Sequence, residues 1–234
     1  MQVPCFCSSA KVRAFMKTKG WSTDCPTGGS GHPPGYKHLI AFFLRQVQAL
    51  AKKHGRKPCG WQEIFDHYGG DTPATPTPPF DGIDPETVVY DWLAPGWGWS
   101  NPGTITAKGF RAVSTLGLYV SSDQDNTNWM KYFESHPLES SDNATAPHGR
   151  GWFNVTSPEA RKLMIGAEAC LWGEHTNAAV MNVRVWPRAA GMAEALWSGH
   201  EGANVTEAYP RLLRHRCRMM QRGVPVTPLQ PGFC

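Results

Sequence analysis

No run of apolar residues approaches the ~18 that a membrane-spanning helix needs; the longest is Leu39 to Leu44. Charge is sparse at 18% of residues, and the formal net charge is only +4. The densest basic stretch, Arg211 to Arg222, is interleaved with Leu212, Leu213, Met219 and Met220, which reads as one wet face of a helix and not as a nucleic-acid track. There is no phosphate-binding glycine loop and no dinucleotide glycine fingerprint. Cys5-Phe6-Cys7 has the wrong spacing for a zinc knuckle, and the nine histidines are scattered without a helical pair. No internal repeat of roughly 20–50 residues is present, and no low-complexity tail. These absences set aside membrane-spanning, nucleic-acid-binding, nucleotide-dependent, metal-centred and solenoid classes.

What is present is a globular composition, 41% hydrophobic over 234 residues, with ten tryptophans, 20 prolines and 24 glycines. That mixture implies long, ordered, aromatic-rich loops on a rigid scaffold, which suits carbohydrate handling. Seven cysteines and three sequons, at Asn143, Asn154 and Asn204, point outside the cytosol. Cys217 and Cys234 enclose a short C-terminal loop, and a bridge there would contribute roughly 3 kcal/mol on the chain-entropy model. Yet MQVPCFCSSAK has no apolar signal core, so the front of the protein is expected to be absent from this chain.

Periodicity predicts helices over residues 8–20, 34–54, 182–197 and 207–222, with shorter helical pieces after Trp61, near Ile105 and around 129–133. Strands are expected at 57–61, 87–92, 110–119 and 163–170, where β-branched and apolar residues cluster. Strand followed by aromatic loop is the unit of a parallel α/β sheet or barrel, and four such strands are half of a barrel of eight.

The chemistry-bearing pattern lies at the strand ends: Trp61-Gln62-Glu63, Asp91-Trp92, Tyr119, and Trp172-Gly173-Glu174. In an extended segment Trp172 and Glu174 share one face. An aromatic plane packs on the C–H face of a sugar while a carboxylate accepts its hydroxyl hydrogen bonds. Each aromatic taken alone is more often a core cap than a site residue, but the recurrence at four strand ends favours a site. His175 reads as a loop histidine. A Glu63–Glu174 acid and nucleophile pair is the obvious two-carboxylate alternative.

The stretch IGAEACLWGEHTN…VWPRAAGMAEALWS resembles the eighth-strand signature of the β-N-acetylhexosaminidases of glycoside hydrolase family 20, lysosomal type. WQEIFD resembles that family's fifth-strand motif, and YPRLLRHRCRMMQRGVPVTPLQPGFC its C-terminal helix and disulfide tail. The resemblance implies the C-terminal half of a (β/α)8 TIM barrel, about strands 5–8, as one partial catalytic domain over 1–234 with long βα loops. It also implies terminal N-acetylglucosamine or N-acetylgalactosamine on glycans as substrate, no cofactor or metal, a lysosomal or secreted setting, and frequent dimerisation.

That family's mechanism is substrate-assisted, which sets the Glu63–Glu174 pair aside. By resemblance, Trp61, Trp92 and Trp172 would wall the acetamide and the ring. Tyr119 would hydrogen-bond the acetamide oxygen, Glu174 would hold sugar hydroxyls, and Glu63 would play a supporting part. The family's Asp-Glu pair ends its fourth strand in an HxGGDE motif, and no such motif occurs here, so this chain is expected to be inactive alone. Cys5 would pair upstream. A non-catalytic N-acetylhexosamine-binding or decoy protein is the rival expectation.

Overall fold

The computed structural model describes residues 3–25, 33–68, 83–93, 99–121, 129–135, 137–138, 155–199, 204–230 and 234. The chain divides into two compact units, Met1–Thr87 and Val88–Cys234.

The first unit begins with α1 (Val3–Ser8) and α2 (Ala10–Thr18). The predicted helix 8–20 is therefore shorter than its pattern. Ser9 caps α2, its hydroxyl accepting from the Val12 N–H, and Gly20 takes φ 70° beyond the other end. The Cys7–Cys25 disulfide, with Cα atoms 5.7 Å apart, closes this corner, a pairing that the Cys5-Phe6-Cys7 spacing did not suggest. Cys5 itself is free and exposed. Then comes α3 (Pro34–Lys53), as predicted, with a proline in its first turn and Lys52 and Lys53 at its negative end. Gly35 is required there, because a Cβ would overlap the backbone carbonyl of Ser22.

Tyr36 and Met16 are fully buried and gather Phe6, Val12, Trp21 and Leu39 into a small core. The same helix leaves Phe43, Val47 and Leu50 about half exposed, although their spacing marks an apolar stripe. β1 (Cys59–Trp61) and α4 (Glu63–Tyr68) follow. The Gln48 side chain accepts from the Asp84 N–H at 3.1 Å and donates to the Thr87 hydroxyl at 3.4 Å. Lys52 reaches Asp84 at 2.9 Å, so α3 holds residues 84–87 through two side chains.

The second unit holds β2 (Val88–Asp91), α5 (Pro102–Ala107), β3 (Arg111–Ser114), α6 (Trp129–Glu134), α7 (Pro158–Leu163) and β4 (Met164–Ala167). It ends with α8 (Met181–Val185), α9 (Arg188–Ser198) and α10 (Val205–Gln221). β2 pairs in parallel with β3, and β3 with β4, with helices on each connection, which makes the fold α/β.

Four expectations are corrected here. The strand predicted over 110–119 stops at Ser114: the Thr115 N–H still makes the ladder bond to the Asp91 carbonyl at 2.7 Å, its hydroxyl adds a second to the same oxygen at 2.9 Å, and the chain then bends. The chain turns through Leu116-Gly117, with Gly117 at φ 72°, and rejoins the sheet where Tyr119 bridges Cys170. The strand predicted over 163–170 begins one residue later and pauses after Ala167, and Leu163 closes α7, whose cap Ser157 accepts from the Ala160 N–H. The helix predicted over 182–197 is two helices, since Pro187 has no amide hydrogen to continue the first; the Trp186–Pro187 peptide is cis. Finally, α10 starts at Val205 under an Asn204 cap, which leaves Pro210 inside the helix and not in its first turn.

Among the described residues, two clusters make up part of this unit's core. Trp129 and Phe133 of α6 meet Ala190 and Ala195 of α9, Ala208 and Leu212 of α10, and Leu229 of the tail. Leu118, Val120, Tyr132 and Met192 make the second, beneath the strand ends. Small residues on α9 set the approach: a Cβ on Gly191 would lie 3.1 Å from the Trp129 carbonyl oxygen.

Candidate functional site

Parallel pairing puts the C-terminal ends of β2, β3 and β4 on one edge of the sheet, the edge at which α/β folds build their sites. Trp92 directly follows β2 and is half-buried. Tyr119 lies five residues past β3, also half-buried, and is held against Cys170 by Val120 N–H to Cys170 O at 2.9 Å and Cys170 N–H to Leu118 O at 3.0 Å. Trp172 stands two residues beyond Cys170 and is 43% exposed. Glu174 is exposed in the next turn. The second unit thus brings Trp92, Tyr119, Trp172 and Glu174 to the ends of adjacent strands. Burial pushes the Cys170 thiol up, as suits a packed cysteine and not a nucleophile.

Asp91 is fully buried at the end of β2, and the Ser114 hydroxyl donates to its Oδ2 at 3.3 Å. The tie fixes β2 against β3 one residue before Trp92.

Trp61 ends β1 in the first unit and is 37% exposed. Its neighbour Gln62 is fully buried, and Glu63 opens α4. Trp61 and Glu63 line a cavity of about 620 Å3 with Ile40, Leu44 and Val47 of α3 and with Tyr68. Burial pushes the Tyr68 phenol up to about 12 from its ordinary 10. The folded state therefore favours the neutral phenol, and this contribution to stability is complete below about pH 10 and lost as pH rises toward 12. In alkaline unfolding curves, Tyr68→Phe should flatten the fall of stability across that window; equal slopes for variant and wild type would contradict the assignment.

Of the sequons, Asn204 is exposed and caps α10, its Oδ1 accepting from the Thr206 N–H at 2.8 Å. Asn143 and Asn154 lie outside the described residues. Cys217 and Cys234 form the expected disulfide. Among the described residues no group of three His, Cys, Asp or Glu is placed to hold a metal, and no helix is long and apolar enough to cross a membrane.

Sequence reasoning passed over Tyr132, Arg184 and Arg188, which hydrogen-bond the three carbonyls from Tyr119 to Ser121. The signal was there: Arg188 interrupts the apolar stripe Val185, Ala189, Met192, Leu196. A charged residue inside a buried stripe asks for acceptors.

Compared with known proteins, residues 1–200 match the family described as glycosyl hydrolase family 20, catalytic domain. The chain belongs to that family of glycoside hydrolases. It is 30% identical to beta-hexosaminidase subunit beta of Homo sapiens, over 100% of this chain and 35% of that protein. To beta-hexosaminidase subunit alpha of Bos taurus it is 29% identical, over 98% of this chain and 37% of that one. The chain therefore spans about a third of the length of these curated relatives.

Among solved structures it superposes on an inactive mutant of a family 20 exo beta-N-acetylglucosaminidase from Vibrio harveyi, with a TM-score of 0.63 and 22% identity, over 95% of this chain and 31% of that one. A chitobiase from Flavobacterium johnsoniae gives a TM-score of 0.59 at 22% identity, over 93% of this chain and 27% of that one. At that identity the two structures speak for the fold.

Proposed function

We propose that residues 1–234 are a single partial catalytic domain of a β-N-acetylhexosaminidase, about strands 5–8 of a (β/α)8 barrel, and that they carry the sugar-binding wall of the site. Trp61, Trp92 and Trp172 stack on the acetamide and the ring of a terminal N-acetylglucosamine or N-acetylgalactosamine. Tyr119 donates to the acetamide oxygen, and Glu174 accepts from ring hydroxyls. One observation carries this reading: in a family 20 chain the segments that leave three adjacent parallel strands carry Trp92, Tyr119 and Trp172, with Trp172 and Glu174 exposed. The half-exposed stripe Phe43, Val47 and Leu50 supports the partial-barrel part of the reading, since such a stripe ordinarily packs on further structure.

The chemistry is divided. In substrate-assisted hydrolysis the acetamide oxygen attacks the anomeric carbon while a carboxylic acid protonates the leaving oxygen. The HxGGDE motif that supplies the acid and its neighbouring aspartate does not occur in residues 1–234. Binding groups without the acid lower no chemical barrier, so this chain by itself binds the sugar without hydrolysing it. The parent protein acts on N-acetylhexosamine-terminated glycans, as a dimer, in the lysosome or outside the cell. The two disulfides fit an oxidising compartment, and Asn143, Asn154 and Asn204 are the glycosylation sites.

The test is calorimetric titration of the purified chain with N-acetylglucosamine, together with a chromogenic N-acetylglucosaminide. Binding should weaken about tenfold or more in Trp172→Ala, a loss of ~1.4 kcal/mol, with no turnover in either protein. Equal binding by Trp172→Ala would refute the site. Turnover near that of an intact hexosaminidase would refute the division of chemistry.

A further inference from the structure

We propose that Tyr132, Arg184 and Arg188 are positioning residues: they clamp the strand end that carries Tyr119 and so fix where its phenol stands. The inference rests on the sugar-site reading above and adds the residues that make that site rigid.

The need for a clamp follows from the backbone. The chain leaves the β3 ladder after Ser114, turns, and among the described residues meets the sheet again only at the bridge Tyr119–Cys170. A strand inside a ladder has its carbonyls satisfied by neighbouring N–H groups; a strand end with one bridge does not, and buried carbonyls without donors are costly. Here side chains replace the ladder. The Tyr132 hydroxyl donates to the Tyr119 carbonyl at 2.8 Å. Arg188 Nη2 donates to the Val120 carbonyl at 2.5 Å. Arg184 Nη1 donates to the Ser121 carbonyl at 2.6 Å. Three successive carbonyls are thus gripped from α6, α9 and α8, across sequence separations of 13, 68 and 63 residues respectively.

The three donors also hold one another. Arg188 Nε donates to the Arg184 carbonyl at 2.7 Å, and its Nη1 lies 3.5 Å from the Tyr132 hydroxyl. Its guanidinium stands 5.5 Å from the centre of the Tyr132 ring. Arg188 is fully buried. A buried guanidinium is a poor way to add stability, since an apolar side chain of like volume often does as well. What it supplies is direction: a planar fork with donors fixed relative to one another. Tyr132 packs with Leu118, Val120 and Met192, so the fork and the strand end sit in one apolar setting that strengthens each bond. A phenol that must meet an acetamide oxygen within hydrogen-bond range needs its backbone held to a few tenths of an ångström, which one bridge does not provide.

The test uses Tyr132→Phe, Arg184→Lys and Arg188→Lys, each alone and together with Tyr119→Phe. Tyr132→Phe removes one hydroxyl and keeps the ring, so it remains readable if an arginine variant fails to fold. N-acetylglucosamine binding is measured by calorimetry, and amide hydrogen exchange at Leu118, Val120 and Cys170 by NMR or mass spectrometry. Each single variant should weaken binding about tenfold and speed exchange at Val120 and Cys170, while the amides of β2 keep their protection. In the Tyr119→Phe background the further loss of binding should shrink to less than about twofold, because the clamp then has no phenol to place.

Equal losses in both backgrounds would overturn the proposal, and so would clamp variants that bind and exchange as the wild type does. A wild-type chain that binds no N-acetylglucosamine would instead remove the sugar site itself, and the positioning role with it. The two failures are therefore told apart by the wild-type titration.

Discussion

Replacing Trp129 by alanine should cost about 3–5 kcal/mol, the usual range for deleting a large buried aromatic. Trp129 is 1% exposed and lies where three helices meet. Its ring is edge-on to Phe133 at 5.9 Å between centroids and stacks with Tyr209 at 6.4 Å, and its carbonyl backs onto Gly191. Deleting it leaves a cavity that α6, α9 and α10 cannot close, because Ala190, Ala195 and Ala208 are too small to move into the space. Trp197 is the internal control. It is 94% exposed, and Trp197→Ala should change stability by no more than about 0.5 kcal/mol. Urea unfolding followed by far-ultraviolet circular dichroism separates the two, and coincident midpoints for both variants would refute the assignment of this core.

Removing the Cys217–Cys234 bridge by the paired Cys→Ser change should cost roughly 3 kcal/mol. The bridge joins residues 17 apart, and Cys7–Cys25 joins residues 18 apart, so chain entropy alone assigns the two nearly equal effects. The folded state distinguishes them. Cys217 sits on α10, and the segment between it and Cys234 carries Val226 and Leu229, both buried, with Leu229 part of the Trp129 cluster. The Thr227 hydroxyl also donates to the Val183 carbonyl at 2.8 Å, which ties the same tail to α8. Cys25, by contrast, closes an exposed corner. Serine at 217 and 234 should therefore lower the unfolding midpoint at least as far as serine at 7 and 25, and the reverse ranking would contradict this account of the tail.

Much of the architecture was legible in local pattern. The 3.6-residue period from Tyr36 to Ala51 gave α3 with nearly its observed ends, since the pattern, the leading proline and the basic end agree. Thr87 to Trp92 gave β2 because Val88 and Val89 suit a pleated, half-buried surface. The positions of the candidate aromatics were readable only in part: Trp92 directly follows β2, whereas Tyr119, Trp172 and Glu174 lie five to seven residues beyond β3 and β4. Other features were not legible. The apolar period ran straight through Trp186-Pro187 and hid the break between α8 and α9. The β-like run 110–119 hid the turn at Leu116-Gly117, where Gly117 takes φ 72°, since strand propensity does not record where a chain bends. Half of the expected apolar face of α3 is exposed, since periodicity shows which residues share a face and not what lies against it.

By itself the sequence determined the α/β class, the family 20 membership carried by its terminal motifs, the aromatic and acidic residues at the strand ends, and the Cys217–Cys234 pairing. These depend on residues close together in the chain, where helix and strand periods and short motifs are written. Only the tertiary structure decided that Cys7 joins Cys25, that Asp91 is buried against Ser114, and that Arg184 and Arg188 grip carbonyls more than 60 residues away. Such partners are chosen by which backbone groups the packed fold leaves unsatisfied, a quantity that exists only once the elements have met.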